Sequence, residues 1–308
     1  MPELPDVELY LSALKPRILG QTLERVRLGT PFLLRSVDPP LDAVFGRTVI
    51  ALTRLGKRIV WQFEDAPSDD QLFLVFHLMI AGRFRWRDRG FAIPKKLGLA
   101  AFDFAGGTLL MTEAATQKRA SLHVVRGAGE LARHDPGGLD VMTAGEEAFA
   151  TALRAESHTL KRALTDPHLF SGIGNAYSDE ILHRVKLSPF RLTRQLSEDE
   201  VRALYSATVA TLGEWTTRLQ EEANGKFPEK VTAFHEGMAV HGRFGKPCPR
   251  CGTPVQRIVH GEHEVNYCPT CQTEGRLLAD RALSRLLKDD WPKTLDALER
   301  RREKFSQK

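Results

Sequence analysis

Apolar side chains at Val7, Leu11 and Leu14 recur at the spacing of one helical face, and Pro5, Asp6 and Glu8 suit the first turn of that helix. From about Thr22 to Val125 the period shortens to that of strands, with Ile59, Trp61 and Phe63 alternating with Val60 and Gln62. The run Leu72 to Ile80 is apolar enough for burial on both faces, and Gly106-Gly107 between apolar runs predicts a hairpin turn. This half reads as a helix followed by a β-sandwich. The polar stretch His134-Asp135-Pro136-Gly137-Gly138 then reads as a linker. Beyond it the period becomes helical: Thr143 with Glu146, and Ser197 with Glu200, have capping-box spacing, and the segments that follow are rich in Ala, Leu and Glu. Gly245 to Gln272 forms a separate small module and Arg276 to Lys308 a helical tail. The pattern predicts an α+β chain divided at 1–135, 136–240, 241–275 and 276–308.

Composition narrows the class. With 308 residues, 42% of them apolar and 27% charged, the chain can build two cored domains and is not expected to be disordered. A net charge of +5 suits a polyanionic partner. The acidic N-terminal segment lacks the apolar core of a signal peptide, and the longest apolar stretch, Leu72 to Ala81, is too short to span a bilayer and contains His77. The expectation is a cytosolic protein without a membrane partner, nucleoid-associated if bacterial, and monomeric. The tail from Arg281 to Lys308 holds nine Lys/Arg against five Asp/Glu and reads as a solvated helix packed through Leu283, Leu286 and Leu287.

Three stretches carry chemistry. In Met1-Pro2-Glu3-Leu4-Pro5-Asp6-Val7-Glu8, removal of the initiator Met leaves Pro2 with a free secondary amine, part of it neutral near physiological pH. A neutral amine can attack a sugar carbon and become a Schiff base, with Glu3 as the adjacent proton-transfer partner. The helix end disfavours protonation of that amine and Glu3 favours it. In Phe170-Ser171-Gly172-Ile173-Gly174-Asn175-Ala176-Tyr177, glycines precede a helix start, an arrangement that lets backbone amides approach a phosphate, and no Gly-Lys-Ser/Thr follows to make a Walker loop. The pairs Cys248-Pro249-Arg250-Cys251 and Cys268-Pro269-Thr270-Cys271 flank sixteen residues, the spacing of a four-thiolate zinc ribbon. Four sulfur ligands leave the metal no open position, so one structural zinc is expected. Arg257, His260 and His263 lie between the pairs and could face DNA.

The N-terminal box, the Gly56-Lys57 strand start, the glycine turn and the four-cysteine ribbon occur in the order found in the formamidopyrimidine-DNA glycosylase and endonuclease VIII family, and the chain resembles that family from Met1 to about Leu278. The resemblance implies a bifunctional glycosylase and AP lyase with a helix-two-turn-helix, which everts oxidised bases from duplex DNA and nicks the strand. It implies Pro2 as nucleophile, Glu3 as general acid and Lys57 as a catalytic lysine that assists proton transfer and grips a phosphate. Asp6, where the family usually has Glu, counts among the DNA-facing positions. Ile80 stands where a methionine wedge enters the space left by the lesion, and Lys96 stands near a DNA-contacting histidine. Lys161 and Asn175 match residues that clamp phosphate, and His263 matches a fingertip arginine that aids the second elimination, which predicts weaker δ-elimination here. The stretch Thr112 to Arg119 lacks the phenylalanine that fills the gap in the duplex, leaving Gln117, Lys118 or Arg119 to substitute. The expected partner is damaged DNA, including unpaired lesions. Two rivals each explain half of the chain: a non-catalytic zinc-ribbon protein has no need of a free Pro2 amine, and an N-terminal-proline tautomerase has none of the ribbon.

Overall fold

The computed structural model describes residues 1–64, 70–260, 263–279 and 292–306, with the side chains of 260, 263 and 301–306 outside that description. The chain divides into two compact units, Met1–Asp140 with Leu212–Ala233, and Val141–Thr211 with Phe234–Lys308.

In the first unit, helix α1 (Leu4–Ile18) begins on Glu3, whose amide donates to the Asp6 carboxylate at 2.9 Å, the backward half of a capping box. Its buried face is wider than Val7, Leu11 and Leu14, because Leu9, Tyr10, Ala13 and Ile18 are covered too. Two antiparallel sheets follow. One has the order β1 (Thr22–Leu23), β3 (Arg47–Leu55), β4 (Arg58–Phe63), β5 (Leu72–His77), β9 (Ser121–Arg126); the other has β2 (Arg25–Leu28), β7 (Gly98–Phe104), β8 (Gly107–Glu113), β6 (Gly82–Arg87). Alternation decides the layers. Ile59, Trp61 and Phe63 enter the main core with Phe76, Phe84 and Phe102, the Trp61 ring lying 4.7 Å from Phe76 and 5.4 Å from Phe102. Val60, Phe73, Val75 and Val125 point the other way and form a second cluster against Leu131 of α2 (Ala128–Ala132). The expected strand buried on both faces is therefore present, but it ends at His77, and Leu78–Ala81 turn with Met79 at φ 53°. The β7–β8 hairpin closes on Ala105-Gly106, with Phe104 paired to Gly107. A Cβ on Gly107 would lie 2.5 Å from the Trp86 ring, so only glycine fits there.

In the second unit, α3 (Glu146–Arg154) starts on Gly145 rather than on Thr143, with Glu146 and Glu147 complementing the helix dipole in its first turn. Thr159 caps α4 (Leu160–Thr165) through Arg162 N, and Gly174 precedes α5 (Asn175–Arg184). The other predicted capping box is present on α6 (Glu198–Ala223): Ser197 N donates to Glu200 at 2.9 Å and Glu200 N to Ser197 Oγ at 3.3 Å. The strands β10 (Gln256–His260) and β11 (His263–Tyr267) and α7 (Pro269–Thr273) form the ribbon, and α8 (Leu295–Ser306) lies in the tail. Leu283, Leu286 and Leu287 lie outside the described residues. The sequence-based division places all of α6 with the helical domain. The structure divides it at Leu212, because Trp215, Leu219 and Ala223, with Phe227 and Val231 beyond the helix, join the apolar core of the first unit. Among the described residues no helix is long and apolar enough to cross a membrane.

Candidate active site and zinc ribbon

The amino end of the chain is buried. Pro2 and Glu3 are both covered, Glu3 to 2% exposure, and the Asp6 carboxylate fixes the backbone between them. Burial lowers the pKa of the terminal amine carried by Met1, Arg83 and Lys57 lower it further, and Glu3 and Asp6 oppose them. Desolvation is the largest cause, ahead of the Glu3 charge, so the local environment favours a neutral amine. Helix-end electrostatics read from the sequence omit this burial, which depends on residues far along the chain.

Lys57 sits at the tip of the β3–β4 hairpin, where Gly56 at φ 59° and Lys57 connect the paired Leu55 and Arg58. The turn holds its charge within electrostatic reach of the amino terminus. Arg83, one residue after Gly82 in β6, is a participant that sequence reasoning passed over. Its guanidinium donates to Gly82 O at 2.6 Å and Ile80 O at 3.1 Å, which ties down the Leu78–Ala81 turn. Ile80 stands on that turn, 54% exposed, as a projecting residue rather than a core strand residue. His77 at the end of β5 is held down to about 4, first by burial and then by Arg58 and Lys57, so it is neutral at pH 7.

Asp6 is fully buried and bound to the Glu3 amide, so it positions Glu3 and is not a surface for DNA. Lys96 is exposed. In the neighbouring loop Lys118 is committed, its Nζ donating to Glu113 O at 2.7 Å and Lys96 O at 3.3 Å. The buried Glu113 carboxylate accepts the amides of Arg119, at 3.1 Å, and Ala120, at 3.2 Å, while Arg119 Nη2 donates to Gln117 Oε1 at 3.1 Å. A carboxylate at the base thus organises the loop that lacks an aromatic plug.

In the second unit the glycine turn leads into α5 as predicted, with Gly172 at φ 81° and Asn175 half-buried at the first helical position. Lys161 departs from expectation. It is 7% exposed, its Nζ donating to Asn175 O at 2.6 Å and to Asp179, which is itself inaccessible. Its ammonium ties α4 to the first turn of α5 instead of standing ready at the surface. The other Asp179 oxygen pairs with His241 Nδ1 at 2.9 Å and accepts Asn266 N and Nδ2, each at 3.2 Å. Glu180 accepts the amides of Ala239, Val240 and His241 between 2.7 and 2.9 Å, while burial pushes its pKa up. Asp179, Glu180 and Asn266 escaped the sequence reading because polar residues on a helix or strand normally signal its solvent face, and His241 because it lies in a turn.

The four cysteine sulfurs lie within 4.8 Å of one another, with Cys251 Sγ to Cys268 Sγ at 3.4 Å and Cys248 Sγ to Cys271 Sγ at 4.0 Å. Zinc–sulfur bonds of about 2.3 Å in a tetrahedron require sulfurs about 3.8 Å apart, so the set fits one zinc with no open position. Among the described residues the module's apolar cluster is Val240, Val255, Cys248 and Cys268 with Cys271 against it, too little to fold a hairpin without the metal. Arg257 stacks on Phe244 at 4.6 Å and lies 3.7 Å from Glu264. The His263 side chain, the proposed fingertip contact, lies outside the described residues, as does that of His260.

Comparison with known proteins agrees with this arrangement. Residues 1–135 match the formamidopyrimidine-DNA glycosylase N-terminal domain, 139–221 its H2TH domain, and 245–273 the zinc finger found in FPG and IleRS. A formamidopyrimidine-DNA glycosylase of Thermus thermophilus is 35% identical over 289 residues, covering 89% of this chain and 100% of that protein. An uncharacterised formamidopyrimidine-DNA glycosylase-like protein of Mycobacterium tuberculosis is 39% identical over 153 residues, covering 50% of this chain and 93% of its own length. The crystal structure of MutM (Fpg) from Thermus thermophilus superposes with a TM-score of 0.72 at 32% identity, covering 88% of this chain and 98% of that one. In fold alone, at 24% identity, the Lactococcus lactis Fpg bound to DNA containing an abasic site superposes at 0.75, covering 88% of this chain and 99% of that one. Three successive domain matches and a full-length relative above 30% identity establish that the chain belongs to the formamidopyrimidine-DNA glycosylase family.

Proposed function

We propose that this chain is a base-excision repair glycosylase with AP lyase activity, acting on damaged DNA through the amine of Pro2 once Met1 is removed. The observation that carries the reading is the buried amino terminus: Pro2 and Glu3 are both covered, and burial, with Arg83 and Lys57, lowers the pKa of the terminal amine that Met1 carries there. The nitrogen lone pair attacks the sugar C1′ and the glycosidic bond breaks, its electron pair leaving with the base, which takes up the proton released from the proline nitrogen. A proton from Glu3 to the ring oxygen opens the sugar and leaves an iminium on Pro2. Loss of a C2′ proton then expels the 3′ phosphate oxygen, which nicks the strand, and water releases the proline. Lys57 and Lys96 serve as phosphate contacts, Asn175 with the first-turn amides of α5 holds a backbone phosphate, and Ile80 wedges the stack opened by the everted base.

Borohydride should trap the full-length protein on abasic DNA. Pro2→Gly or a retained Met1 should reduce trapping sharply. Efficient trapping through another residue would overturn the assignment, and binding without trapping would favour the non-catalytic zinc-ribbon reading.

A further inference from the structure

Helix α5 reaches the ribbon at its C-terminal end as well as through Asp179. His183, one turn after Asp179 and buried to 4% exposure, has its Nε2 3.2 Å from Cys248 Sγ. Arg250, between the first two cysteines, donates to the carbonyls of His183 and Arg184, each at 3.3 Å, and Gln272 Nε2 donates to Leu187 O at 3.0 Å. A metal-bound thiolate has lone pairs and no proton, so at this distance the ring nitrogen must be the donor. Zinc with four thiolates carries a formal charge of −2, and the excess negative charge resides on sulfur. A directed N–H donor offsets that charge, lowers the sulfur's nucleophilicity and orients the ligand. A phenyl ring could fill much of the same volume but could not donate.

We propose that His183 is a positioning residue for the zinc centre, holding the Cys248 thiolate through an Nε2–H···S hydrogen bond and protecting that ligand from electrophilic attack and metal loss. The proposal rests on the one-zinc assignment and is independent of the chemistry assigned to Pro2.

Three measurements on the full-length protein test it. Zinc release into a chromophoric chelator during methyl methanethiosulfonate titration should be faster in His183→Phe, with zinc affinity lowered about 10- to 100-fold, and His183→Gln, which keeps a donor, should recover much of the difference. In the cobalt(II)-substituted protein the sulfur-to-metal charge-transfer band should move to lower energy in His183→Phe and stay near the wild-type position in His183→Gln. Should the Phe variant not fold, the cadmium-113 form of the wild-type protein decides alone: a scalar coupling between the metal and the His183 Hε2 proton is expected. Absence of that coupling, or a Phe variant with wild-type zinc release and band position, overturns the proposal. A zinc-free wild-type protein would instead remove the assignment beneath it.

Discussion

The Asp6 carboxylate is one bond shorter in reach than the glutamate usual in the family, and it meets the Glu3 amide at 2.9 Å from within the first turn of α1. Asp6→Ala removes a buried acceptor, and the predicted loss is about 1–3 kcal/mol in urea unfolding together with slower single-turnover excision. An unchanged urea midpoint would mean that the Glu3 amide has another acceptor. Lys161 illustrates the reverse case, a residue expected at the phosphate that is committed to Asp179. Removing one partner of a buried ion pair leaves the other uncompensated, so Lys161→Ala should destabilise by about 3–5 kcal/mol. The slope of log binding constant against log salt should change little, and a slope reduced by about one contact would return Lys161 to the phosphate list.

At the scale of elements, two turns of the first unit bear on the specificity expected under the proposed function. The Leu78–Ala81 turn presents Ile80, and the loop after β8 is folded onto Glu113 with no aromatic residue to enter the duplex. Less interaction energy is then available to offset unpairing and unstacking a base, which costs a few kcal/mol, and an unpaired lesion avoids most of that cost. The expected outcome is weak discrimination among opposite bases with substantial activity on single strands. Single-turnover rates for one lesion opposite each base and in a single strand measure this. A rate steeply dependent on the opposite base and absent in single strands would assign partner reading to Gln117 or Arg119.

For the whole molecule, one source of pH dependence is the pair of histidines His77 and His123, kept neutral in the first unit. His77 and His123 are both lowered to about 4 from 6.5, chiefly by burial. Below pH 6.5 the unfolded chain takes up protons that the folded chain refuses, so their contribution is complete above pH 6.5 and is lost as pH falls towards 4. Thermal midpoints should drop through that window, and His123→Gln should flatten the drop relative to wild type. Parallel curves for the two proteins would exclude His123 as a source. The comparison isolates the histidine because both proteins carry the same thiolate cluster.

Residue order alone determined the features set by local spacing: the N-terminal helix with Pro5 and Asp6 in its first turn, the alternation that sorts Ile59, Trp61 and Phe63 from Val60, the reciprocal Ser197 and Glu200 cap, and the two cysteine pairs. Each is written within a few residues, and backbone periodicity or ligand geometry reads it directly. The Pro2 box was legible for the same reason, but the burial of the amino terminus, the largest influence on the amine that Met1 carries, was not. Tertiary structure also decided that Asp6 and Lys161 turn inward, that Ile80 projects, that α6 is divided at Leu212, and that Asp179, Glu180 and His183 face the zinc module. In most of these cases the deciding partner lies well outside the local sequence window, and whether a polar side chain meets water or a buried acceptor is fixed only when the chain brings that partner to it.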